Sequence, residues 1–182
     1  MERLDSIHKP LREEKLLDTR ALLLDVDGVL TKGEIIYQDS GEEIKVFSVR
    51  DGLGIRLLTE AGIEVAVVTG RSSASLRHRC ANLNIRYIFD GVENKLDVLP
   101  EITDKLRVPS RLMACMGDDL PDVALLQSVG VSIAVADAHE VVRETAAMIT
   151  LAKGGDGAVR EVCDALLKAQ GYWNDILRRF GP

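Results

Sequence analysis

The chain has 182 residues, 46% of them hydrophobic and 29% charged, with a net charge of −6. That length suits one domain with a substantial core, and the acidic balance argues against a nucleic-acid or anionic-membrane surface as the main partner. Aromatic residues make up only 4%, too few for base-stacking platforms, and no apolar run reaches membrane-spanning length. The opening segment, MERLDSIHKPLREEK, has no apolar centre and does not read as a secretory signal.

Beyond that segment, short apolar runs alternate with helical stretches. Strands are predicted at Ala21–Leu24, Ile63–Val68, Arg86–Phe89, Leu112–Met116 and Ser132–Val135. Each is nearly continuous in Val, Ile, Leu or Ala, as parallel strands covered on both faces are. Helices are predicted near Leu53–Ala61, Ala74–Asn82, Lys95–Leu106, Asp122–Ser128 and His139–Ala147, with Gly62 and Gly130 as C-terminal caps. Pro100 falls inside the third of these and should kink or split it. Residues 33–49, GEIIYQDSGEEIKVFSV, break the rhythm and read as a hairpin of Glu34–Tyr37 and Glu43–Phe47 around Gly41. The tail, about 153–182, has a glycine-rich bend and then a helix with Ala158, Val162, Ala165 and Leu166 on one face, ending in YWNDILRRF as a further helix or a partly ordered segment. The alternation predicts a single α/β domain over 1–182, a doubly wound, mainly parallel sheet with an inserted hairpin and no large cap domain.

Cys80, Cys115 and Cys163 are odd in number, far apart and set among apolar or helical residues. They read as packing residues in a reduced, cytoplasmic protein, not as a disulfide framework or zinc site. His8, His78 and His139 carry no indicated role.

Chemistry concentrates after the strands. In LLLDVDGVLT an apolar run enters Asp25 and Asp27, then Gly28. Buried carboxylates need a partner, and side chains two apart in extended chain face the same way. Gly28 permits a sharp turn and a close approach to ligand. Thr69 and Gly70, in VVTGR, offer a hydroxyl and an amide to a phosphate oxygen, or merely a helix cap. Lys95 in GVENK supplies a cation. In MGDDLPD, Asp118, Asp119 and Asp122 form a cluster that repels itself unless a cation such as Mg²⁺ sits among it; a helix N-terminus accounts for one or two acids comfortably, but for three less well. Together these parts are what phosphoryl transfer through an aspartyl-phosphate requires. A two-component receiver domain combines similar residues but places its acidic pair early and its acceptor aspartate mid-chain, the reverse of this order. A non-catalytic scaffold would have no reason to keep every chemical position filled.

These segments resemble the four motifs of the haloacid dehalogenase superfamily of phosphatases. More narrowly, LDVDGVLT, GEE-K-F-VRDGLGI, VVTGR, NKL, GDDLPD, SIAVADAH and GGDGAVREVCDALLKAQG, over about residues 18–171, resemble the capless family acting on 3-deoxy-D-manno-octulosonate 8-phosphate. The resemblance implies Asp25 as nucleophile, Asp27 as acid and then base, and Thr69 and Lys95 as holders of the phosphoryl group. It implies Mg²⁺ on Asp25, the Asp27 carbonyl and Asp118, with Asp119 and Asp122 behind them. A phosphorylated 2-keto sugar acid is the implied substrate. Gly28, Gly70, Arg71 and Arg79 would bind it, Arg71 and Arg79 sharing a helix face, and Arg160 would act near a neighbouring subunit's site in a homotetramer. Related families act on 2-keto-3-deoxynononate 9-phosphate or N-acylneuraminate 9-phosphate, and the nononate enzymes resemble this pattern less at Arg71, where they carry a glutamate. Two positions depart from the family: Lys32, where an acid is more usual, and Asp156, where an arginine often stands.

Overall fold

A computed structural model describes residues 9–181; His8 lies outside them. A short helix α1 (Glu13–Leu16) precedes the first strand β1 (Ala21–Leu24), and a small antiparallel hairpin, β2 (Ile36–Tyr37) and β3 (Glu43–Ile44), follows it. Then come α2 (Val49–Glu60), β4 (Glu64–Val68), α3 (Ala74–Leu83), β5 (Tyr87–Phe89), α4 (Leu99–Leu106) and β6 (Met113–Gly117). The chain closes with α5 (Val123–Leu126), β7 (Val131–Ala134), α6 (Glu140–Thr145), β8 (Met148–Ile149), α7 (Ala158–Ala169) and α8 (Trp173–Phe180).

Six strands form one parallel sheet in the order β5-β4-β1-β6-β7-β8. The chain builds outward from β1 to one edge, returns, and builds from β6 to the other. Right-handed crossovers then place α2 and α3 on one face and α4, α5 and α6 on the opposite one. α7 returns to pack on α2 and α1. The reversal between β1 and β6 opens a crevice at their C-terminal ends, where Asp25 and Asp118 lie. Ala21, Leu22, Leu23 and Leu24 are fully buried, as a central strand covered on both sides must be.

Several boundaries differ from the sequence expectation. α2 starts at Val49 because the Ser48 hydroxyl accepts from the Asp51 N–H; the glycines at 52 and 54 obscured that first turn. Pro100 does not kink a helix: it stands in the first turn of α4, where a missing N–H costs nothing, and Lys95 lies in the turn before it. Gly62 follows α2 with φ +83°, as a C-terminal glycine should. Gly130 is not a cap, since α5 has already ended at Leu126; a Cβ there would lie 2.0 Å from the Arg111 carbonyl oxygen. The tail does end in a helix, α8, which buries Ile176. All three cysteines are buried and unpaired, and among the described residues no helix is long and apolar enough to cross a membrane.

One buried carboxylate ties the start of α2 to the tail. Asp51, 1% exposed, accepts the Arg160 N–H at 2.7 Å and so caps α7, whose own N-cap residue, Gly157, has no side chain to do so. Burial raises its pKa despite these bonds. Asp51→Ala should therefore cost about 1–3 kcal/mol in urea denaturation. Asp51→Asn, which keeps an acceptor, should cost clearly less.

Candidate active site

A cleft of about 550 Å³ opens at the C-terminal edge of the sheet, lined by Asp25, Asp27, Thr69, Gly70, Arg71, Lys95, Asp118, Asp119 and Asp122, with Gly33, Val92, Glu93 and Pro121. Lys95 is its inner counterion. Only 6% exposed, its Nζ donates to Asp25 Oδ1 at 2.6 Å and to Asp122 Oδ1 at 2.5 Å. Burial alone would lower its pKa, but Asp25 and Asp122 lift it to about 12, so it remains an ammonium.

The three aspartates after β6 have separate jobs. Asp122 Oδ2 accepts the N–H groups of Asp118 and Asp119 at 3.0 and 3.2 Å. With Lys95 on its other oxygen, Asp122 is saturated and shapes the loop. Asp119 caps its own turn through the Leu120 N–H. Asp118 is different: its Oδ1 is shielded from solvent and accepts no hydrogen bond. Its carboxylate fits only because residue 28 is glycine. Gly28 has φ +95°, and a Cβ there would lie 2.0 Å from Asp118 Oδ2.

One oxygen each of Asp25, Asp118 and Asp122 lie within 4.8 Å of one another. Three acids on one ammonium leave a formal charge of −2, and the orphaned Asp118 oxygen and hard oxygen donors fit a divalent cation. Without one the carboxylates resist ionisation. Burial raises Asp25 to about 6, partly opposed by Lys95 and aided by Asp122. Burial, then Asp25 and Asp122, raises Asp118 to about 8.

Both groups hold protons more tightly folded than unfolded, so below the unfolded value near 3.8 their contribution to stability is fully present. It is lost as pH rises through 6 and then 8. Thermal melts in chelator should thus fall progressively between pH 4 and 8. A melting temperature that rises through this window would contradict the cluster's electrostatics.

On the other wall Thr69, 2% exposed, accepts the Arg71 N–H on its hydroxyl oxygen at 3.3 Å, leaving the hydroxyl proton to donate into the cleft. Arg71 stands at the rim, donating through Nη2 to Glu43 Oε1 at 2.8 Å, with Nε 3.7 Å from Asp27 Oδ2. Lys45 Nζ donates to Asp27 Oδ1. Glu43 and Lys45 come from the hairpin; both stand in the GEE-K-F-VRDGLGI resemblance but were assigned no role there. Their spacing of two in extended chain, the same rule that paired Asp25 with Asp27, was the available signal.

Two expected arginines lie outside this cleft, Arg160 as a residue serving a neighbouring subunit's site would. Arg79 cannot share a helix face with Arg71, because α3 begins only at Ala74. Its Nη2 donates to the Ser48 carbonyl at 2.8 Å, bracing the start of α2. Arg160, on α7, pairs with Asp164 at 2.7 Å and does not line this cleft. Lys32 and Asp156 are both exposed, where the tail crosses the loop after β1 and the Gly155 N–H reaches the Val29 carbonyl at 2.8 Å.

Comparison with known proteins places this geometry in context. Residues 88–162 match the model of a family described as haloacid dehalogenase-like hydrolase. The 3-deoxy-D-manno-octulosonate 8-phosphate phosphatase KdsC of Escherichia coli K12 is 47% identical over 157 residues, covering 86% of this chain and 84% of that protein. The crystal structure of 3-deoxy-D-manno-octulosonate 8-phosphate phosphatase from Moraxella catarrhalis, a complex with magnesium, phosphate and KDO, superposes with TM-score 0.90 at 38% identity over 98% of this chain and 100% of that one. The cobalt-bound phosphatase from Haemophilus influenzae gives TM-score 0.85 at 42% identity over 87% of this chain and 93% of that one. The chain therefore belongs to the 3-deoxy-D-manno-octulosonate 8-phosphate phosphatase family of haloacid dehalogenase-like hydrolases, enzymes that cleave phosphomonoesters.

Proposed function

We propose that the protein hydrolyses 3-deoxy-D-manno-octulosonate 8-phosphate to the free sugar acid and phosphate, through an aspartyl-phosphate on Asp25, in lipopolysaccharide precursor synthesis in the cytoplasm. The whole chain serves as one catalytic domain. One juxtaposition supports this above all: Asp25, Asp118 and Asp122 gather together, with Lys95 on two of them, in a cleft that also holds Asp27, Thr69 and Arg71. Family membership and the bound KDO, phosphate and magnesium of the Moraxella enzyme support the same substrate.

The Asp25 carboxylate attacks phosphorus while the bond to the sugar oxygen breaks. Asp27 gives that oxygen a proton, then removes one from the water that attacks phosphorus and frees Asp25. The Thr69 hydroxyl and the Lys95 ammonium hold phosphoryl oxygens, and the backbone at Gly28 and Gly70 allows close approach. Asp25, the Asp27 carbonyl and Asp118 would hold Mg²⁺, with Asp119 and Asp122 shaping the loop. A bound magnesium ion supplies positive charge that offsets repulsion between the phosphate dianion and Asp25. Arg71 receives the substrate carboxylate, its planar fork matching two oxygens.

The assembly we propose is a homotetramer in which the hairpin and a neighbouring subunit's C-terminal tail, through Arg160, enclose the site. Around the hairpin Ile35, Tyr37 and Val46 are 53, 61 and 65% exposed, an apolar surface of the kind that partners cover.

Phosphate release would be measured from this substrate, from 2-keto-3-deoxynononate 9-phosphate, from N-acylneuraminate 9-phosphate and from neutral hexose phosphates, each with Mg²⁺ and with chelator. The expected result is Mg²⁺-dependent turnover strongly favouring the octulosonate. Equal turnover of a nononate would leave the mechanism standing and overturn the substrate. No turnover of any phosphate would overturn both.

A further inference from the structure

Lys45 carries a positive charge into a nearly closed place. Its side chain is 2% exposed, and its Nζ contacts Asp27 Oδ1 and lies 3.3 Å from Glu43 Oε1. Glu43 in turn binds Arg71, whose Nε approaches Asp27 Oδ2. Four charges of alternating sign thus close a ring: Asp27 from the loop after β1, Lys45 and Glu43 from the hairpin, Arg71 from the loop after β4. A lysine that served only solubility would keep its ammonium in water. Burying it is costly unless carboxylates face it, and here two do.

The ring makes the two Asp27 oxygens inequivalent. Oδ1 is held by the ammonium, and a proton there would point at a like charge. Oδ2 is shielded from solvent, accepts no hydrogen bond, and belongs to a residue lining the cleft. We propose that Lys45 is a positioning residue: it fixes the Asp27 carboxylate through Oδ1 and leaves Oδ2 as the atom that exchanges protons with substrate. This rests on the reading of Asp27 as acid and base. In the first step the Asp25 oxygen–phosphorus bond forms, the phosphorus–sugar oxygen bond breaks, and the departing electron pair takes the proton from Asp27 Oδ2. In the second step water oxygen bonds to phosphorus, its proton passes to Oδ2, and the Asp25 carboxylate leaves. Because Lys45 enters from the hairpin, that flap belongs to the proton-transfer apparatus as well as to the cleft wall.

Leaving groups separate this role from a structural one. kcat/KM covers steps through the first departure, so it would be measured for two phosphates that both lack the carboxylate Arg71 receives: a hexose phosphate, whose alkoxide needs a proton, and p-nitrophenyl phosphate, whose phenolate does not. Wild type, Lys45→Met, Lys45→Gln and Asp27→Asn would be compared with Mg²⁺ present. Lys45→Met should lose roughly 10- to 100-fold on the sugar phosphate while the aryl phosphate changes little. Lys45→Gln, which keeps a neutral donor, should lose less with the same selectivity and decides the matter if the methionine variant folds poorly. Equal losses on both substrates, or none, in the lysine variants beside a selective loss in Asp27→Asn would overturn the role of Lys45 alone. Absence of selectivity in Asp27→Asn would overturn the reading of Asp27, and the proposal with it.

Discussion

Asp25→Asn is expected to abolish phosphate release from every substrate, by roughly 10⁴-fold or more, as loss of a covalent nucleophile does, while leaving the fold intact. The amide is nearly isosteric and its oxygen can still accept from Lys95 Nζ, which lies 2.6 Å from the carboxylate. It also removes a charge from a cluster whose burial already raises Asp25 to about 6. In chelator at pH 8 the variant should therefore melt no lower than wild type. Phosphate-release assays and thermal melts on one preparation check both halves. Retention of a tenth of the activity would rule out a nucleophilic Asp25; lost activity with a much lower melting temperature would reduce the effect to misfolding.

Lys95→Met should damage both properties. It removes the ammonium between Asp25 and Asp122 and leaves carboxylates crowded in a largely closed space. Removing one partner of a buried pair costs about 3–5 kcal/mol, and losing a preorganised phosphoryl-binding cation costs on the order of 10²–10³-fold in rate. The stability loss carries a signature. Without Lys95 the carboxylates become harder to ionise in the folded state, so the deficit should be largest near pH 8 and shrink toward pH 5 as they take up protons. Urea denaturation at the two pH values in chelator measures it. A deficit of the same size at both would mean that Lys95 acts through packing and not through charge.

What the sequence revealed depended on whether local pattern or distant contact decided the structure. The apolar strands around Ala21–Leu24, Glu64–Val68 and Met113–Gly117 were legible because a sheet buried on both faces demands unbroken aliphatic runs. β8 was not, since two residues, Met148 and Ile149, form no pattern. The placement of Asp25, Thr69, Lys95 and Asp118 in one cleft followed from strand order, because each stands just past a strand or in the next loop. Arg79 misled because helical periodicity was extended back across a segment that is not yet helix at Arg71. Lys45 was given no role for the opposite reason. Its spacing of two from Glu43 marks a shared face, but only the tertiary arrangement brings it onto Asp27.

The position of β1 also governs when a newly made chain becomes an enzyme. Its Ala21 pairs with Glu64 on one side and Met113 on the other, so one edge of a fully apolar strand stays open until Glu64–Val68 has been made and the other until well over half the chain has been synthesised. Such edges invite mispairing, and the non-local pairing that closes them is slow to form. Asp25 emerges early, but its partner Asp118 follows β6, and α7, whose first turn Asp51 caps, emerges later still. Catalytic competence is therefore a late event in this protein's biogenesis, and a ribosome stalled before residue 113 would display Asp25, the proposed nucleophile, without the residues that surround it in the folded cleft.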